Sequence, residues 1–221
     1  MIIDNFTCIY NWLRYLNEGD FYWIQIYCRK KDGNNVSDKI VIKNYIIFSI
    51  NELKKYESEI KMLCANNNAR AYIWVNPRSY RLFQINLLKH TAASIENNNY
   101  SVYRLVDKAI VDSKSPNYEK VWILDIDSTS RELIDKYEDI ICKCNCKGNN
   151  EYDLLETVNG YHLLSHRFNI TKFSNLIKVN HLPIVDIHKD NPTLLYYERK
   201  TISFDFETDG LGIIKPNLIY L

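Results

Sequence analysis

Val121-Trp-Ile-Leu-Asp-Ile-Asp-Ser128 is an apolar run rich in β-forming residues, broken only by two carboxylates, Asp125 and Asp127. Strand side chains alternate between faces, so Asp125 and Asp127 share one face with Ile123, while Trp122, Leu124 and Ile126 line the other. Two acids side by side at the end of a buried strand repel each other and lose hydration, and a positive partner relieves both costs. Hard oxygen donors of this kind suit Mg²⁺ or Mn²⁺. The alternative is a pair of strand-end acids facing water.

Outward from this strand, the sequence alternates helical and extended patterns. Phe6, Ile9, Tyr10, Leu13 and Leu16 fall at helical spacing and predict a helix over 6–17. FYWIQIYCR (21–29) and the stretch 39–49 read as two strands of a hairpin joined by a polar loop. Asn51 is placed to cap a helix to about Cys64, with Glu52 favourable in its first turn. RAYIWV (70–75) is a further strand, ended by Asn76-Pro77-Arg78, and a long helix is expected over 80–95. Arg78 stands at that strand-to-helix corner, a place where phosphates are often received. Residues 103–111 fit helix or strand.

After the Asp-x-Asp strand, Thr129 or Ser130 caps a helix to about Cys142. YDLLETVNGYHLLSHRF (152–168) then reads as a hairpin about Asn159-Gly160, a strong two-residue turn signal. That register sets Val158 opposite Tyr161 and Thr157 opposite His162, a hydroxyl beside an imidazole at the mouth of a turn. Histidine there can donate to phosphate or act as acid or base near neutral pH. His90, His166, His181 and His188 carry no such context. A short helix over 171–178 leads to a strand ending at Asp186, a turn through Asn191-Pro192 and a strand over 193–198. The tail from Thr201 adds an edge strand.

Bulk properties narrow the classes. At 221 residues the chain can form one domain with a sizeable core. A net charge of +1 gives no global field toward polyanions, so any such ligand must meet a local patch. No apolar stretch reaches the roughly 20 residues of a membrane span. The opening MIIDNFTCIYNWLRYL lacks the basic start and small-residue cleavage site of a signal peptide, so the expected location is cytoplasmic. Cys142, Cys144 and Cys146 form a tight C-x-C-x-C that reads as a zinc knuckle or a reduced loop.

In order, the chain presents hydrophobic-Asp-x-Asp at Asp125 and Asp127, a His after a Gly turn at His162, and hydrophobic-Asp before a turn and strand at Asp186. That series resembles the catalytic domain of the archaeo-eukaryotic primase (primase-polymerase) superfamily, as does the strand with Asn-Pro-Arg at 70–78. The resemblance covers about residues 70–198. It implies an α+β fold, with an N-terminal αβ module over about 1–110 packed on an RRM-like sheet over about 111–221 that carries the acidic site. It further implies metal-dependent nucleotidyl transfer with Mg²⁺ or Mn²⁺ held by Asp125, Asp127 and Asp186. His162, Arg78 and Thr157 would hold the nucleoside triphosphate. A single-stranded nucleic-acid template follows as a partner, with a helicase or other replication protein acting in trans. The chain departs from the family at the serine of Ser-x-His, occupied here by Gly160, and the arginine that often follows the third motif comes late, at Arg199.

Two other readings compete. LDIDST (124–129) matches the Asp-x-Asp-x-Thr opening of haloacid-dehalogenase (HAD)-like phosphatases, with Asp125 as nucleophile, Asp127 as acid/base, and Ser165, Lys172 and the pair Asp186/Asp190 completing the set. The other is a non-catalytic nucleotide- or RNA-binding module of the same fold.

Overall fold

The structure, a computed structural model, describes residues 1–15, 17–33, 39–98, 102–116, 118–144, 152–199, 203–208 and 214–219. The elements run β1 (Ile2–Asp4), α1 (Phe6–Trp12), β2 (Asp20–Arg29), β3 (Lys39–Ile47), α2 (Ile50–Asn67), β4 (Arg70–Trp74), β5 (Arg78–Ser79), α3 (Tyr80–Glu96) and α4 (Val102–Val111). There follow β6 (Val121–Ile126), α5 (Arg131–Lys143), β7 (Tyr152–Glu156), β8 (Tyr161–His166), α6 (Ile170–Val179), β9 (Asp186–His188), β10 (Pro192–Glu198), β11 (Ser203–Thr208) and β12 (Ile214–Ile219). The fold is α+β, and every strand pair among the described residues is antiparallel.

The first sheet has the order β1-β10-β4-β2-β3, with β5 against β2. Its inner strands β2, β4 and β10 are buried, largely apolar runs because both faces are covered. Ile24, Ile26, Ala71 and Ile73 pack with α1 and α2 residues such as Ile9, Leu53 and Ile60. On the other face Trp23 stacks on Trp74 at 4.0 Å between ring centres, and Phe83 and Ala109 of α3 and α4 cover them. Farther along that face Tyr27 stacks on Tyr72 at 4.8 Å and Tyr197 joins them.

The second sheet is β7-β8-β6-β9, built from a βαββαβ segment whose four strands lie in the order fourth, first, third, second. Trp122, Leu124 and Ile126 face α5 and α6, packing on Ile134, Tyr137 and Phe173. Val121 and Ile123 turn the opposite way and join the core of the first sheet. The alternation read from the sequence therefore holds along β6. The halves interleave at β10, which follows the second sheet in sequence yet lies between β1 and β4 of the first.

Two buried asparagines stitch the halves together. Asn5 donates from Nδ2 to the carbonyls of Glu156 and Leu194 at 2.9 Å each, and accepts from the Glu156 amide at 3.0 Å. Asn76 donates to the Val121 carbonyl at 2.9 Å and accepts from its amide at 2.8 Å, standing in for a neighbouring strand at the start of β6. Such bonds satisfy backbone groups that burial would otherwise orphan.

Several local expectations need correction. Helix α1 ends at Trp12 rather than Asn17, and 103–111 is helical within α4. Ser49, not Asn51, caps α2: its Oγ accepts from the Glu52 amide, and the Glu52 carboxylate accepts from the Phe48 amide, close to a capping box. The strand expected to end at Asp186 instead begins there, because Pro183 has no amide for the ladder and Ile184 is 88% exposed. β11 and β12 pair with each other as a two-stranded ribbon. Cys142 and Cys144 are described, but Cys146 and the loop through 150 lie outside the described residues, and the zinc-knuckle reading with them. No helix among the described residues is long and apolar enough to cross a membrane.

Candidate active-site cleft between the two sheets

The ends of β6 and β8 meet the tyrosine-rich face of the first sheet in a cleft of about 500 Å³. Asp125, Asp127, Thr157, His162 and His188 line one side of it, and Arg29, Arg70, Tyr72, Tyr197 and Arg199 the other. Strand pairing explains how the first group converges. His162 of β8 and Asp186 of β9 both pair with Asp125 of β6, from opposite sides. Residues opposed across an antiparallel ladder project from one face, so Asp186 stands on Asp125's face rather than behind it. His188, two residues on, shares that face.

The Asp125 carboxylate is the hub. His162 Nε2 lies 3.3 Å from Oδ1, and His188 Nε2 lies 3.7 Å from Oδ2. His162 Nδ1 is 2.8 Å from Oγ1 of Thr193, a fully buried hydroxyl on β10. Thr193 thus fixes the ring and, having no access to a ligand, is no nucleophile. The hydrogen bond from His162 holds the Asp125 carboxyl below the usual carboxylate range; the charges of His162 and His188 add to this, and partial burial opposes it.

Because the folded state lowers this pKa, the interaction stabilises the protein above the ordinary carboxylate range. The stabilisation is lost as pH falls through the lowered value. In His162→Ala the Asp125 midpoint is expected to move up toward its ordinary value, readable by NMR titration of the side-chain carboxyl carbon. An unmoved midpoint would assign the lowering to something other than the imidazole.

Between β7 and β8 the sequence expectation fails in register. Glu156 pairs with Tyr161 and Leu155 with His162, so the connection is the four residues Thr157–Gly160, closed by the Thr157 amide donating to the Gly160 carbonyl at 2.9 Å. A two-residue turn of the primed type needs positive φ at Asn159 and Gly160, and neither has it. Gly160 serves close approach instead: a Cβ there would lie 2.0 Å from the Ile126 carbonyl oxygen and 2.6 Å from the Ser128 amide nitrogen. Thr157 consequently lines the cleft but is not across from His162, whose hydroxyl partner is Thr193. Val158 packs on the tyrosine cluster of the first sheet.

Gly160→Ala must push the backbone carrying Asp127, because the blocking atoms are main chain. A loss of about 1–3 kcal/mol is expected, as for overpacking generally, measured by urea unfolding. Wild-type stability in that variant would contradict the close approach.

The opposite wall is cationic. Asp32, almost fully buried, pairs with Arg29 at 3.2 Å and with Arg70. Arg70 also lies over the Tyr197 ring, 4.5 Å from its centre. Its Nε is buried and has no hydrogen-bond partner among the described residues. Burial without a partner is costly, and an anionic ligand would supply the missing acceptor.

The remaining predicted residues fall elsewhere. Asp186 lines an adjoining hollow of about 390 Å³ with Asp125, Asp127 and Ser128. Arg78 is fully buried and ion-paired with Asp190 at 3.0 Å, and lines neither the cleft nor this hollow. The phosphatase set does not assemble around Asp125: Ser165 is fully buried, its Oγ donating to the His166 carbonyl, and Asp190 is engaged by Arg78 and Lys114.

Sequence reasoning missed Arg29, Arg70, Tyr72, His188 and Thr193. Three of them had a signal: Arg70 and Tyr72 share a strand face by alternation, and His188 shares one with Asp186.

Among the described residues no group of three or more His, Cys, Asp or Glu side chains forms a ready-made metal cage. The donors still fit a hard cation, because Mg²⁺ is commonly held by one or two carboxylates, waters and substrate phosphates. Asp125 on β6 and Asp127 just past its end, both lining the cleft, offer those carboxylates. No protein-family model, curated protein or solved structure matches the chain.

Proposed function

We propose that the protein is a metal-dependent nucleotidyltransferase of primase-polymerase type, extending a nucleic-acid strand from nucleoside triphosphates in the cleft between its sheets. The observation that carries the reading is the cleft's division of charge. Two strand-end carboxylates and an oriented imidazole face a wall of arginines and tyrosines. The βαββαβ segment, ordered fourth-first-third-second, has the connectivity of a split βαβ unit, and we read it as the RRM-like module.

Asp125 and Asp127 would hold Mg²⁺ or Mn²⁺, with Asp186 as the third acid across the ladder. When bound, the cation neutralises charge on the attacking and leaving oxygens of an in-line displacement. His162 Nδ1 is held by Thr193, and its Nε2, on Asp125 in this structure, would turn to a phosphate oxygen once that carboxylate takes the cation. Arg70, with an unpartnered Nε–H, and the exposed Arg199 balance the remaining triphosphate charge.

The test is incorporation of labelled nucleotides on single-stranded templates, with and without a primer, in Mg²⁺ or Mn²⁺. Extension abolished by chelation is expected. Nucleotide binding with no incorporation under any of these conditions would favour the non-catalytic module. Phosphomonoester hydrolysis through an aspartyl-phosphate at Asp125 would favour the phosphatase.

A further inference from the structure

A second groove, of about 300 Å³, opens near the start of β6 on the side away from the acids. Trp122, which projects from the face opposite Asp125, and half-buried Tyr118 line its floor. Lys114, Lys120, Arg167 and Lys189 line it as well, all four exposed. Asp190, the acid in its lining, is already neutralised by Arg78 and Lys114. Lys120, Arg167 and Lys189 have no ion-pair partner among the described residues. On a chain of net charge +1 this is a local concentration of positive charge, of the kind that holds a polyanion without a global field.

The groove is built rather than incidental. Asn76 ties its floor to its rim, bonding both backbone groups of Val121 and reaching the Lys189 carbonyl at 3.4 Å. The three-residue edge strand β9 leads from the cleft to the groove. His188 faces Asp125, and the next residue, Lys189, sets its ammonium 5.5 Å from the centre of the Trp122 ring.

We propose that this groove binds single-stranded nucleic acid through its phosphodiester backbone and delivers it around the β9 edge to the cleft. The cations track phosphates, and Trp122 and Tyr118, though largely buried, border the groove with aromatic surface that a base of any sequence can meet. Choosing nucleic acid over another polyanion rests on the reading of the cleft, since an acidic peptide would meet the same cations but leave the aromatic floor unused.

The test is fluorescence anisotropy of a labelled oligothymidylate over a salt series, with wild type, Lys120→Glu/Arg167→Glu/Lys189→Glu, and the milder Lys120→Gln/Arg167→Gln. The triple variant is expected to bind at least about tenfold more weakly. Its log–log salt slope should fall by about 2, the value for three lost phosphate contacts on a single strand. Thermal unfolding checks the triple variant, and the milder pair decides the matter if the triple does not fold. Unchanged affinity and slope in the groove variants would overturn the proposal, as would polyglutamate binding wild type as tightly as the oligonucleotide. Groove-dependent binding by a protein that incorporates no nucleotide supports the groove and removes the polymerase reading alone.

Discussion

Asp125→Ala/Asp127→Ala is expected to lower metal-dependent nucleotide incorporation by about 10³-fold or more while leaving the protein folded. A bound cation is worth several kcal/mol of charge stabilisation, and each 1.36 kcal/mol is about tenfold in rate. Removing both carboxylates leaves His162, His188 and Asp186, too few hard donors to hold Mg²⁺. The fold should tolerate the change because Asp127 is exposed and Asp125 only half-buried, so no charge is stranded in the core. The instructive comparison is Asp186→Ala. Asp186 pairs with Asp125 in the ladder but opens on the adjoining hollow rather than the main cleft. If it completes a cation site, its loss lowers the rate and raises the metal concentration needed for half-maximal activity. If the metal requirement is unchanged, two carboxylates suffice. Incorporation unaffected in the double variant would take these acids out of the mechanism.

The elements of this fold were legible in the sequence to the extent that they are local. Alternation along 121–126 assigned both faces of β6, including the side on which Asp125 lies, because period-two projection needs no partner, whereas Asp127 falls past the strand's end. What could not be read is what depends on distant contacts. Nothing near Pro192–Glu198 announces that this strand returns to lie between β1 and β4, nor that Thr193 will orient His162 across 31 residues. The Asn159-Gly160 pair shows the same limit differently. Its composition satisfies a two-residue turn, but the glycine is consumed by the backbone of 126–128, and the register follows that long-range approach. Arg78 was placed at the right corner and given the wrong neighbour, since no local feature marks Asp190 as its partner.

Asp190→Ala is accordingly expected to be among the most destabilising single changes in the chain, by about 3–5 kcal/mol, as for breaking a buried ion pair by removing one partner. Arg78 is 0% exposed, and both its terminal nitrogens face Asp190, at 3.0 and 3.2 Å. Without that carboxylate a guanidinium stays in the interior with only the Lys114 ammonium, a like charge, brought toward it by the same acid. For a chain of this size, roughly 2–4 °C per kcal/mol puts the fall in Tm at about 10 °C. The pair is also imperfectly bonded: Arg78 Nε is buried and unpartnered among the described residues, so its replacement by an apolar pair should cost little. Arg78→Met/Asp190→Leu is therefore expected to recover most of the stability lost in Asp190→Ala, in a double-mutant comparison by urea unfolding. The outcome separates two roles for Arg78. A guanidinium that anchors the turn between β9 and β10 makes the single variant unstable and the double variant stable, with the nucleotide KM little changed in the double variant. A guanidinium that serves the triphosphate gives the reverse, a folded Asp190→Ala and a double variant whose KM rises sharply.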